Sequence, residues 1–240
     1  NKKVLDAGCG AGYLLKHLLD NKYNARGIDF SKGMVKTTKN LLIENNYDPK
    51  RASLGSVKDL SQFKNAEFDV VILTGVLQYI KNHKKVYDEC HRILKKNGVL
   101  ISSNQNEFFD LTTFNRYTIN FFANNFSNLI SGSKEAKSNY KKNLKKLISF
   151  PNEPKKHGTL SARDRVKVYS KNPLEIGKDL KISGFNLISG PSYYSLHFYP
   201  PLLNKNSDIK FNTRKQFELR NNWQSMFLGS QFITKAKKYN

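Results

Sequence analysis

Short apolar runs alternate with stretches of helical spacing over residues 1–107. Lys3–Ala7 is a compact apolar run that stops at a glycine turn, and Tyr13–Asp20 sets its leucines on one helical face. Ala25–Asp29 reads as a second strand, and Ser31 as the cap of a helix reaching about Asn45. Arg51–Ser56 is a weak third strand, whereas Phe68–Thr74 is uniformly apolar enough to be buried on both faces. A helix is predicted over Lys84–Lys95, closed by Asn97-Gly98, with a fifth strand at Val99–Ser103. Such alternation argues for a parallel sheet joined by crossover helices.

Past residue 107 the pattern changes. Residues 108–126 are rich in aromatics at helical spacing, and Phe114, Tyr117, Phe121 and Phe122 share one face. Packing inside an insertion is the ordinary use of such a face, and an apolar wall for a ligand is the sharper one. Residues 134–149 form a lysine-rich amphipathic helix, and Pro151–Gly158 is a linker rich in helix breakers. Helices are then predicted over Pro173–Ile182 and 208–224, a strand opens at Phe185–Leu187, and Ser230–Ala236 is the last strand. The expected fold class is α/β: a doubly wound, seven-stranded, mostly parallel sheet with helices on both faces and a helical insertion after strand five. The expected organisation is a single domain over 1–240, with 108–170 as the insertion and 171–240 completing the sheet. Asn1 stands directly before an apolar run, so further residues upstream are expected.

The richest chemical signal is Val4-Leu5-Asp6-Ala7-Gly8-Cys9-Gly10-Ala11-Gly12-Tyr13, a strand running through alternate glycines into a helix. Glycines let a backbone approach a ligand closely, and a helix N-terminus brings unpaired N–H groups. A dinucleotide fingerprint needs its third glycine where Tyr13 stands, and a phosphate loop needs a Gly-Lys-Ser/Thr that is missing. Asp29 closes the second strand about twenty residues on, where a nucleoside ribose meets a doubly wound sheet. Its carboxylate can accept from both ribose hydroxyls.

Asp6–Gly12, Gly27-Ile28-Asp29-Phe30-Ser31-Lys32-Gly33-Met34, Phe68–Ile80 and Glu89–Leu100 together resemble the ordered motifs of class I S-adenosylmethionine-dependent methyltransferases. Their spacing is similar to that of the small-molecule branch that includes quinone-ring methyltransferases. The resemblance implies S-adenosyl-L-methionine as cofactor and residues 1–107 as the half that binds it. It implies that Asp6, Gly8, Gly10 and Gly12 line the methionine and ribose end, and that Asp29 holds the ribose hydroxyls. By the same resemblance Phe30 packs on the adenine, Val57 follows its edge and Thr74 sits beside the sulfonium. Ser56 departs from the pattern, standing where relatives often carry the aspartate that reads the adenine amino group, and Asp59 is the nearest substitute.

Methyl transfer from a sulfonium needs alignment and exclusion of water, which can supply roughly 7–11 kcal/mol of the barrier. A base helps when the acceptor is a hydroxyl, and Glu107, His157 and His197 are the candidates. The Asn/Asp-Pro-Pro-Tyr/Phe signature of many amino-group methyltransferases acting on nucleic acid is missing, which favours a small acceptor.

Net charge qualifies that preference. The chain carries +22, and twelve Lys/Arg against three acids fall within 134–171. An anionic small acceptor suits this insertion, with Arg163 and Arg165 as its grip and Tyr117 on the acceptor side. RNA is the alternative partner, and a catalytically silent binding module the alternative class. Cys9 and Cys90 are too few for a disulfide framework, no cysteine or histidine spacing suggests a metal site, and no apolar run could span a bilayer, so a cytoplasmic protein is expected.

Overall fold

The computed structural model describes residues 2–113, 116–126, 134–148, 168–196 and 218–239. Its strands are β1 (Lys3–Ala7), β2 (Asn24–Asp29), β3 (Ala52–Leu54), β4 (Phe68–Leu73), β5 (Leu94–Asn106), β6 (Ser170–Lys171), β7 (Phe185–Leu196) and β8 (Gly229–Lys238). The helices are α1 (Tyr13–Asp20), α2 (Lys32–Glu44), α3 (Lys84–Ile93), α4 (Arg116–Phe126), α5 (Lys134–Ile148), α6 (Ile176–Ile182) and α7 (Ser225–Leu228). One sheet joins the strands in the order β3-β2-β1-β4-β5-β8-β7, and β6 pairs with β5 as an eighth member. All registered pairs among β1–β6 are parallel. This is the expected mostly parallel α/β sheet, with one short strand more than the sequence pattern shows.

The chain divides into two compact units, the first comprising Asn1–Asn104, Leu174–Pro191 and Ile233–Asn240, the second Gln105–Pro173 and Ser192–Phe232. In the first unit, Leu15 and Leu19 of α1 and Leu42 of α2 pack on Val4, Ala25, Ala52 and Ile72 of the sheet. Each large side chain buried this way contributes about 1.5–3 kcal/mol. Ser31 caps α2 by accepting from the Met34 N–H at 3.3 Å. Helix α3 buries Val86, Tyr87, Cys90 and Ile93 along one stripe.

Several boundaries move from their expected places. Strand β5 begins at Leu94 rather than Val99, because Phe68 pairs with Leu94 and Val70 with Val99. Lys95–Gly98 form an irregular excursion inside the strand, with Asn97 at φ 63°. The predicted helix over 173–182 begins only at Ile176, and 108–126 is split into a 3-10 segment (Phe108–Thr113) and α4. In the second unit, Phe108 stacks on Phe227 at 5.9 Å and meets Phe121 edge-on at 6.4 Å, and Phe121 contacts Phe122 and Phe126. Phe121, Phe122 and Phe126 of α4 thus pack on one another, and Phe121 on Phe108. Phe114 lies outside the described residues.

Candidate functional site

Parallel pairing brings Asp6 and Asp29 to the same edge of the sheet. Asp6 lies opposite Gly27 and Ile72 near the end of β1, and Asp29 closes β2 opposite Leu54. Both carboxylates are buried, at 2% and 7% exposure. The loop between β1 and α1 then folds over them. Gly8, Gly10 and Gly12 have φ of 90°, 53° and 88°, all left-handed, which is the conformation glycine adopts at no steric cost.

Asp29 organises that loop. Its Oδ2 accepts from the Gly10 N–H at 3.0 Å, and its Oδ1 accepts from the Ser31 N–H at 2.9 Å. The carboxylate therefore faces the glycine turn, with lone pairs left over for a further donor. The Gly8 and Cys9 N–H groups both donate to the Ile28 carbonyl at 2.8 Å, and the Gly12 N–H donates to the Cys9 carbonyl. These four loop donors are consumed within the protein. They hold the turn together.

Asp6 is chemically different. One of its oxygens accepts from the Leu15 N–H, while its buried Oδ2 has no partner. Burial, and next the charge of Asp29, push the Asp6 carboxyl up to about 7. An unfolded Asp6 titrates near 3.8. Between these values the unfolded chain has released its proton while the native chain keeps it. Native stability therefore falls as pH rises through that window and the loss is complete above about 7. Asp6→Asn is expected to melt at a higher temperature than the parent at about pH 7.5, with the two converging near pH 4. Melting curves across that range check it, and a constant offset would contradict the assignment.

The remaining predicted positions fall around this turn or elsewhere as follows. Phe30 is 82% exposed beside Asp29, while Val57 is buried and Thr74 exposed. A Cβ on Gly10 or on Gly75, which follows Thr74, would meet nothing within 4 Å, so both glycines border open space. Ser56 bridges to Asp59, whose Oδ1 accepts from the Ser61 N–H at 3.1 Å. Burial, with Asp6 adding to it, pushes the Cys9 thiol up to about 12, which fits a packing residue rather than a nucleophile. Glu107 and Tyr117 are half-buried and belong to the second unit. His157, His197, Arg163 and Arg165 lie outside the described residues. No group of His, Cys, Asp or Glu that could hold a metal ion occurs among the described residues. Among those residues, no helix is long and apolar enough to cross a membrane.

Sequence reasoning missed three buried polar residues, of which one, Thr38, supports the turn. Thr38 of α2 donates from Oγ1 to the Gly10 carbonyl at 2.6 Å, and its methyl lies against the face of Gly12. Ser103 of β5 accepts from the Gly75 N–H at 2.8 Å, which holds the loop after β4. Asn104 is buried at 2% exposure with neither side-chain polar atom partnered. The signal for Thr38 was present: it stands on the same α2 face as Val35 and Leu42, a polar residue in an apolar stripe.

Comparison with known proteins agrees with this geometry. Residues 5–102 match the family model described as a methyltransferase domain. A ubiquinone biosynthesis O-methyltransferase of Dechloromonas aromatica is 31% identical over 105 residues, 44% of this chain and 45% of that protein. A demethylmenaquinone methyltransferase of Leptospira interrogans is 30% identical over 102 residues, 41% of each chain. The matched stretch spans under half the length of these curated relatives. The crystal structure of a SAM-dependent methyltransferase from Methanosarcina mazei superposes with a TM-score of 0.56 at 15% identity, covering 100% of this chain and 93% of that one. Residues 5–102 of this chain are thus similar to a methyltransferase domain, and the fold is that of a solved SAM-dependent methyltransferase.

Proposed function

We propose that this chain binds S-adenosyl-L-methionine at the β1–β2 edge and transfers its methyl group to a small-molecule acceptor. One observation carries the reading: a buried carboxylate, Asp29, is locked onto the glycine turn beside a second, Asp6, whose Oδ2 has no partner. An orphaned buried carboxylate oxygen at the sheet edge, together with open space at Gly10 where Asp29 is held, suits a cationic ligand. When bound, S-adenosylmethionine supplies an activated methyl group on a sulfonium.

In this reading Asp29 accepts from the ribose hydroxyls while Gly10 and Ser31 keep it oriented. Phe30 covers the adenine, Val57 lies along its edge, and Gly8, Gly10 and Gly12 give the backbone room. Asp6 ionises as a positive group approaches, because an opposite charge favours its anion. Thr74 stands at the reacting end. Glu107, His157 and His197 are the proposed bases, and Tyr117, Arg163 and Arg165 the proposed acceptor contacts. The matched relatives, a ubiquinone biosynthesis O-methyltransferase and a demethylmenaquinone methyltransferase, support a small biosynthetic acceptor, methylated on O or N. The whole chain is proposed to act as one methyltransferase, with 108–170 as its cap.

Calorimetric titration with S-adenosylmethionine and with its demethylated product tests the reading. Saturable binding in the micromolar range is expected, with heats near pH 7 that depend on the buffer because Asp6 releases a proton on binding. No binding at high micromolar ligand would sink it.

A further inference from the structure

Helix α2 carries a charge pattern that the cofactor site does not use. Lys32, Lys36, Lys39 and Asn40 lie along one face with Ile43, at spacings of four, three, one and three residues. Pro49 and Lys50, in the turn before β3, close this face into a groove of about 450 Å³ with Val35 on its floor. Four ammonium groups line it and no carboxylate does. None of the four lysines is in an ion pair among the described residues.

The arrangement works against the helix that bears it. Lys32 and Lys36 repel across one turn, as do Lys36 and Lys39, and α2 has no acidic residue in its first turn to offset Lys32 at the positive end of the helix dipole. Glu44 stands at the far end of α2, Asp29 is engaged with the Gly10 and Ser31 N–H groups, and the Oδ1 of Asp48 accepts from the Lys50 N–H. A helix that holds uncompensated like charges around a concavity is matched to an anion.

We infer that the α2 groove binds the phosphodiester backbone of a single-stranded nucleic acid. Lys32 to Lys39 span about 10 Å of helix axis at 1.5 Å per residue. That is about three phosphates at the ~3.4 Å axial rise of one stacked strand. Lysines act as point charges without a fork's geometric demand, so they suit a run of phosphates better than one oriented headgroup. Of the apolar residues lining the groove, Val35 is buried, Pro49 half-buried and only Ile43 exposed, too little for the broad apolar face that lipid insertion requires. The inference does not rest on the methyl-transfer reading, since none of these residues is assigned to the cofactor.

Fluorescence anisotropy with a labelled oligouridylate, across a potassium chloride series, tests it. Three proteins are compared: the parent, the groove variant K32Q/K36Q/K39Q/K50Q, and the charge-matched K64Q/K81Q/K85Q/K235Q, whose four lysines are exposed in the first unit. Melting curves establish that all three are folded. The groove variant is expected to bind at least tenfold more weakly at low salt. Its log K against log salt is expected to be less steep by about 2.8, four contacts at about 0.7 each, while the control changes by less than about 1. Equal losses in both variants would show a response to total charge and overturn the inference, as would no binding by the parent at low salt. Groove-dependent binding to phosphatidylglycerol vesicles or inorganic pyrophosphate, without binding to the oligonucleotide, would assign the groove to another anion and overturn it equally.

Discussion

Asp29→Ala is expected to weaken S-adenosylmethionine binding by more than tenfold in a protein that still folds. Tenfold corresponds to about 1.4 kcal/mol, less than a buried carboxylate contributes when it accepts from two hydroxyls, since hydrogen bonds to charged groups are each worth about 1.5–3 kcal/mol. The substitution also frees the Gly10 and Ser31 N–H groups, which Asp29 now holds at 3.0 and 2.9 Å. Gly10 and Ser31 are only half-buried, so water recovers part of that loss and the sheet survives. Asp29→Asn keeps one acceptor oxygen and should fall between. Calorimetry gives the affinities and a melting curve the fold; unchanged affinity in the folded Ala variant would overturn the ribose assignment.

Two neighbouring glycines should fail in opposite ways. A Cβ on Gly8 would lie 2.2 Å from Val76 Cγ2, at a φ of 90°. Left-handed backbone alone costs a non-glycine residue about 1–2 kcal/mol, and the collision forces the loop after β4 to move as well. Gly8→Ala is therefore expected to cost about 3 kcal/mol, lowering Tm by roughly 6–12 °C for a chain of this size. Gly10 has a φ of 53° and nothing within 4 Å of its Cβ. Gly10→Ala should cost only the backbone strain, about 1–2 kcal/mol, yet place a methyl group where the cofactor is proposed to lie. Its signature is a small Tm change with a large affinity loss. Equal melting losses for the two variants would show that the open space at Gly10 has been misread.

The parts of this molecule that could be read in advance share one physical origin. Burial imprints periodicity, so Tyr13–Asp20 was bounded correctly and the strands ending at Asp6-Ala7 and Asp29 were placed. The sheet edge followed, because parallel pairing puts successive strand ends side by side. Register carries no such imprint. Lys95-Lys96-Asn97-Gly98 reads as a stop, whereas it is an excursion within β5 permitted by the positive φ of Asn97. Strand β7 likewise passes through Gly190-Pro191, a pair that reads as punctuation. Hydrogen-bond bookkeeping is also silent in a linear pattern. Nothing in the glycine spacing tells that the Gly8 and Cys9 donors converge on one carbonyl, or that Asn104 is buried without a partner. The lysines of α2 were visible only as part of a total charge, since a groove needs the second wall that Pro49 and Lys50 supply.

Ligand choice in this cleft is thus a matter of sign more than of room. Three left-handed glycines make enough space for a pyrophosphate as easily as for an amino acid. But a pyrophosphate would meet the Gly8, Cys9, Gly10 and Gly12 amides already engaged, with the buried acidic side chains of Asp6 and Asp29 beside them. A pyrophosphate is therefore expected to compete poorly with an adenosyl sulfonium at this turn, which displacement of bound S-adenosylmethionine by a nicotinamide dinucleotide would measure.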